Sequence, residues 1–134
     1  MGPLVPTFPV QEGYDCVVNE LLTRKCAPCE GGVKRMTLKQ AKELVTKLRG
    51  WKLIASKALR QELVMKDFPA AIEFIHDVAR TAESEGHHPD LHLTGYRNLA
   101  IELSTHAIGG LSINDFILAA KLDALPRKLK ERRR

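Results

Sequence analysis

The chain has 134 residues, 44% hydrophobic and 28% charged, the proportions of one soluble globular domain with a core of its own. No apolar run approaches the roughly 18 residues of a membrane span, and the N-terminus has neither a secretory-signal nor a transit-peptide composition, so cytoplasm is the expected compartment, with the nucleus as the alternative. The net charge of +5 sits in residues 126–134, which hold six bases and one acid, while the rest of the chain carries fifteen of each sign; nucleic-acid binding by the body is therefore not expected.

Residues 1–36 hold four of the seven prolines and no sustained periodicity, which predicts an irregular extension. All three cysteines, Cys16, Cys26 and Cys29, lie in it. An odd count without a secretion signal argues for a reducing compartment. Cys26 and Cys29 have the CxxC spacing of a zinc knuckle or a redox pair. A structural zinc needs four ligands, and no second CxxC pair is present, so no metal site is assigned.

Order begins at Thr37. Thr37 and Gln40 form a capping box, and Leu38, Ala41, Leu44, Val45 and Leu48 give a helical stripe that Gly50 is placed to end. Residues 51–55 and 59–66 read as a hairpin. Asp67 can cap a second helix, with Pro69 tolerated in its first turn; Ala71, Phe74, Ile75, Val78, Ala79 and Ala82 make it amphipathic to about Glu85, and Gly86 ends it. Two more strands, 91–94 and 99–105, turn near Gly95. Ser112 with Asp115 is a second capping box, opening a last helix. The order α-β-β-α-β-β-α implies an α+β domain over residues 37–125, a four-stranded antiparallel sheet with three helices on one face. The basic tail, 126–134, suits a phosphate contact, a localisation signal or a solvated end. A thin core makes a homodimer or homotetramer an expected state.

Four of the five histidines fall between Glu83 and Ala119, and imidazole is the side chain that titrates near neutrality without special tuning. His87 and His88 leave a helix together, stiffened by Pro89, and His106 follows an alternating run of Leu99, Ile101 and Leu103. Taken singly, each has a plainer explanation: a solvated His-His pair, a core histidine at 106, a capping-box member at Asp115, a surface charge at Glu83. His76 and His92 fit no motif.

Together these residues resemble the pterin-4a-carbinolamine dehydratases, also called dimerisation cofactors of a homeodomain transcription factor. The family pattern appears here as Glu83, three residues, His87-His88-Pro89, then Tyr96, then Ser104-Thr105-His106, then Asp115 within Gly-Leu-Ser-x-x-Asp; Gly50-Trp51 also match. Six residues separate Pro89 from Tyr96, one more than in the animal members, which predicts a bulge. The extension with its CxxC looks more like plant or protist members.

The resemblance implies dehydration of 4a-hydroxytetrahydropterin to quinonoid dihydropterin, recycling tetrahydrobiopterin, with no cofactor. It implies that His88 and His106 handle the leaving hydroxyl and the ring proton, with His87 binding or sharing that work. Backbone groups of Ser104, Thr105, His106 and Ala107 would grip the pterin's amide-like edge. Gly86 and Pro89 would line the site. Glu83 would orient a histidine or bind a pterin nitrogen, and Asp115 would cap its helix and buttress His106. An alternative role is a protein-interaction module, using the stripe from Phe74 to Ala82 for self-association or a protein partner.

Overall fold

The structure is a computed structural model that describes residues 16–27 and 34–131. Helix α1 is Cys16–Thr23, α2 Leu38–Val45, α3 Phe68–Glu85 and α4 Ile113–Asp123; the strands are β1 Trp51–Ile54, β2 Ala58–Val64, β3 Asp90–Thr94 and β4 Asn98–Leu103. The sheet is antiparallel throughout, in the order β1-β2-β4-β3.

Period-two alternation sorts the side chains to the two faces of the sheet. Trp51, Leu53, Leu59, Gln61, Leu63, Leu91, Leu93, Leu99, Ile101 and Leu103 share one face across the register and are buried or half-buried. The opposite face carries Lys52, Arg60, Glu62, Asp90, His92 and Glu102, with Arg60 paired to both Glu62 and Glu102. The helices bury the apolar face. Phe74, Val78, Phe116, Ile117, Leu118 and Leu122 join Leu59, Leu99, Ile101 and Leu103 in one core, all at most 1% exposed. Trp51 Nε1 and Gln61 Nε2 both donate to Asp123 Oδ1, at 2.9 and 3.1 Å, which ties the sheet to the end of α4.

The predicted caps are in place. Thr37 and Ser112 close capping boxes, Asp67 accepts from Ala70 N–H, and α3 ends on left-handed Gly86.

Four expectations need correction. Residues 16–23 form a helix within the extension, because Val18 and Leu21 bury themselves against α4; α1 is thus a fourth helix. Helix α2 stops at Val45, capped by Thr46, and Gly50 instead takes its left-handed φ of 73° at the entry to β1. No bulge interrupts β3: Asp90 through Thr94 pair one for one with Glu102 through Asn98. In the turn 95–97, Gly95 and Tyr96 both take positive φ, and with β3 paired throughout, Leu91 and Leu93 face the core and His92 the polar side. The tail is not simply solvated through Lys130. Lys66 N–H donates to Lys128 O and Lys130 N–H to Val64 O, both at 2.9 Å, while Leu129 bridges Met65.

Candidate active site

The site is assembled at two chain reversals. At the first, Gly86 adopts φ 67°, open to glycine at no steric cost, and His87 N–H reaches back to Ala82 O at 3.2 Å. The chain turns sharply off α3, so adjacent histidines part: His87 is buried at 5% exposure, while the side chain of His88 is 62% exposed. At the second, β4 runs out at Leu103 and Thr105 pairs with Gly110 around a single 3-10 turn, His106–Ile108. Thr105 is fully buried, and the side chain of His106 is exposed.

Asp115 joins the two reversals. It is fully buried at the start of α4. Its Oδ1 lies 2.6 Å from His87 Nε2, and its Oδ2 accepts from Thr105 Oγ1 at 2.8 Å and from Ser112 N–H at 3.0 Å. Because Thr105 uses its hydroxyl proton on Asp115, the 2.7 Å contact between Thr105 Oγ1 and Ser112 Oγ has Ser112 as donor. Ser112 Oγ in turn accepts from Asn114 N–H at 3.2 Å. With Asp115 accepting on both oxygens, the proton of the His87 contact is assigned to Nε2. No buried side-chain nitrogen or oxygen among the described residues lacks a partner. A fully satisfied buried network of this kind holds its members rigidly.

Each end of the network is the neighbour in sequence of an exposed histidine: His87 precedes His88, and Thr105 precedes His106. Glu83 Oε1 stands 2.6 Å from His88 Nε2, one turn back on α3. That pair is exposed, so it orients the ring more than it stabilises the fold.

The sequence-predicted residues therefore separate into two sets. Glu83, His88, Gly86, His106 and Ala107 are exposed, with Pro89 and Ser104 half-buried. Thr105, Asp115 and His87 lie beneath them. Asp115 contacts His87, not the expected His106, because His87 turns inward at Gly86. With no exposed surface and its two oxygens both engaged, Asp115, together with buried Thr105, supports the site from below. Sequence reasoning missed Asn114 and Glu85, which neighbour the network; neither side chain carries a local signal, because their side-chain partners, Ala27 for Asn114 and Cys26 and Lys121 for Glu85, are distant in the chain.

The CxxC divides. Cys29 lies outside the described residues. Cys26 is buried, its Sγ donates to Asn114 O at 3.6 Å, and burial, then the Glu85 charge, pushes its thiol up to about 12. A thiol so held stays protonated at neutral pH and is a poor nucleophile and metal ligand. Among the described residues, no group of three or more His, Cys, Asp or Glu side chains is arranged to hold a metal.

Residues 34–125 match the family model described as pterin 4 alpha carbinolamine dehydratase. The chain belongs to that family. It is 46% identical over 114 residues to pterin-4-alpha-carbinolamine dehydratase 2, mitochondrial, of Arabidopsis thaliana, covering 82% of this chain and 61% of that protein. A Nitrosospira multiformis protein provisionally given the same dehydratase name is 40% identical over 111 residues, covering 83% of this chain and 96% of that one. The chain thus spans about three fifths of the plant relative's length and nearly all of the bacterial one's. Among solved structures, a transcriptional coactivator/pterin dehydratase from Brucella melitensis superposes with a TM-score of 0.64 at 29% identity, over 68% of this chain and 97% of that one. The family match takes in every residue of the site, from Glu83 to Asp115. The α+β fold agrees with that neighbour.

Proposed function

We infer that this chain is a hydro-lyase that removes water from a pterin-4a-carbinolamine to give a quinonoid dihydropterin. The observation that carries the mechanism is the buried Asp115 hub, which fixes the residues next to His88 and His106 and leaves those two imidazoles at the surface.

A carbinolamine carbon bears a hydroxyl and shares a bond with a ring nitrogen. Dehydration breaks the C–O bond, with a proton delivered to the departing oxygen, and forms a C=N bond as the ring N–H is lost. No electron is exchanged with a cofactor. His88 and His106 serve as the acid and the base, each contributing ~10²–10⁴ in rate by general acid–base catalysis. His87, with its Nε2–H on Asp115, orients the turn that carries His88. Glu83 holds the His88 ring. Backbone groups of Ser104 to Ala107 bind the pterin's amide-like edge, and Gly86 and Pro89 shape the opposite wall. Recycling of tetrahydrobiopterin is the role this reaction supports.

The dehydratase domain takes in residues 37–125, with 1–36 as an appended segment and 126–134 as a basic tail. No helix of the described residues is long and apolar enough to cross a membrane; a cytoplasmic location, with the nucleus as alternative, is the reading we adopt, although the plant relative is named as mitochondrial.

Self-association into a homodimer or homotetramer is the second reading. The stripe from Phe74 to Ala82 is turned into the core and is not available for it, Phe74, Val78 and Ala82 being at most 2% exposed. The outer face of α3, where Phe68 and Ile72 are 49% and 45% exposed, supports it instead. Sedimentation of wild type against Ile72→Glu tests it, since an unchanged mass would remove that face from any assembly.

Stopped-flow decay of freshly made 4a-hydroxytetrahydropterin tests the enzymatic reading. Acceleration by wild type, lost in a folded His88→Ala variant, is expected. A wild type no faster than the spontaneous reaction would sink it.

A further inference from the structure

We propose that the backbone of Cys26 and Ala27 acts as a clamp that sets the His87–Asp115 geometry, which makes Asn114 and Glu85 positioning residues for the dehydration. The catalytic part of this inference rests on the function proposed above; the geometric part does not.

The His87–Asp115 contact spans two elements, the exit of α3 and the first turn of α4. Its length depends on how those elements are held together. The segment Cys26–Ala27 touches both, at the neighbours of the two residues concerned. Cys26 N–H donates to Glu85 Oε1 at 2.9 Å, two residues before His87. Ala27 N–H donates to Asn114 Oδ1 at 2.9 Å, and Asn114 Nδ2 donates to Ala27 O at 2.8 Å, one residue before Asp115. The Asn114 amide thus grips the Ala27 peptide with both of its polar ends, as a neighbouring strand would.

Two further contacts close the arrangement. Lys121 Nζ of α4 donates to Glu85 Oε2 at 2.8 Å, and Cys26 Sγ donates to Asn114 O. Asn114 is fully buried. An amide buried without its hydrogen-bond partners costs free energy, so the residue ties the Ala27 peptide to the base of the site. Helix α1, with Val18 and Leu21 buried against α4, delivers the segment to this place. A 2.6 Å imidazole–carboxylate contact is short, and hydrogen-bond strength falls steeply with misalignment. Loosening the clamp therefore weakens the orientation of His87, and of His88 beside it, before it unfolds the domain.

The test uses the full chain with Ala27→Pro, which removes the donated N–H and also fixes the backbone there and restricts Cys26 before it, and Asn114→Ala, which removes both amide contacts from the other side. Ala27→Gly is the conservative partner, since it keeps both peptide groups. The first readout is the His87 Nε2–H proton by NMR, in protein whose fold is checked by circular dichroism. The clamp predicts that this resonance moves and exchanges faster with water in Ala27→Pro and Asn114→Ala, but keeps its wild-type position in Ala27→Gly. The second readout is kinetic: kcat falls about tenfold while KM for the carbinolamine stays within about twofold, as expected when orientation and not binding is lost. A His87 resonance unmoved in both disruptive variants, or moved equally in Ala27→Gly, would overturn the clamp. The NMR arm needs no turnover, so an inactive wild type overturns the enzymatic reading while the resonance still decides the clamp.

Discussion

Asp115 Oδ1 lies 2.6 Å from His87 Nε2, and neither side chain is more than 5% exposed. A buried carboxylate therefore holds the histidine that precedes the exposed His88, and its other oxygen holds the threonine that precedes the exposed His106. One side chain sets both reversals.

Replacing Asp115 should cost stability as well as activity. In Asp115→Asn one acceptor oxygen becomes an NH2 group facing a donor, either His87 or the Thr105 and Ser112 pair. A mismatch of that kind in a buried network costs about 2 kcal/mol. Urea denaturation at neutral pH should show the lower midpoint, and kcat should fall with it. A midpoint equal to wild type would mean that the network is not formed as described.

Glu83 should behave in the opposite way. Its side chain is 79% exposed and that of His88 is 62% exposed, so Glu83→Gln should leave the unfolding free energy from urea denaturation within about 0.5 kcal/mol of wild type. The carbinolamine turnover should nevertheless drop severalfold, because the charge that orients His88 is gone. Unchanged turnover would reduce Glu83 to a surface charge.

The Glu85 carboxyl gives a pH signature. Burial raises it, but the Lys121 ammonium and the Cys26 N–H outweigh burial and hold it below its ordinary value of 4.5. A carboxyl depressed in the fold stabilises it at pH above its unfolded value, and that stabilisation is lost as pH falls through the folded one. The stability difference between wild type and Glu85→Gln should therefore be largest near neutrality and shrink below pH 4.5. Denaturation midpoints taken across that range check it; a constant difference would contradict the assigned contacts.

Cys26 should be nearly inert in the native state. Its thiol stands at about 12 against an ordinary 9.0, which leaves roughly a thousandfold less thiolate at neutral pH. Iodoacetamide labelling followed by peptide mapping should find Cys26 modified far more slowly in folded protein than in urea. Comparable rates would mean that the thiol is not buried against Asn114.

Much of this architecture was legible from local rules. The caps at Thr37, Asp67 and Ser112 and the glycine exit at Gly86 are contacts within a few residues, which spacing can reveal. The alternation of Leu99, Ile101 and Leu103 likewise reports a half-buried strand. What was not legible depends on distant partners. Helix α1 is held by packing on α4, ninety or so residues away, a case of tertiary context overriding weak local preference. The pairing of Asp115 with His87, and not with His106, follows from the inward turn at Gly86, which no spacing reports. The tail reads as a charged end until Leu129 is seen against Met65. The extra residue before Tyr96 pointed to a bulge, whereas β3 pairs without interruption and the positive φ values fall in the turn.

The most direct measurement is single-turnover decay of 4a-hydroxytetrahydropterin with wild type, His88→Ala, His106→Ala and the double variant, each shown to be folded. Two histidines acting on one bond-breaking step predict that each single change costs about a hundredfold or more and that the double costs much less than the product of the two. A double variant that still turns over at the wild-type rate would contradict the account, and place the proton transfers elsewhere.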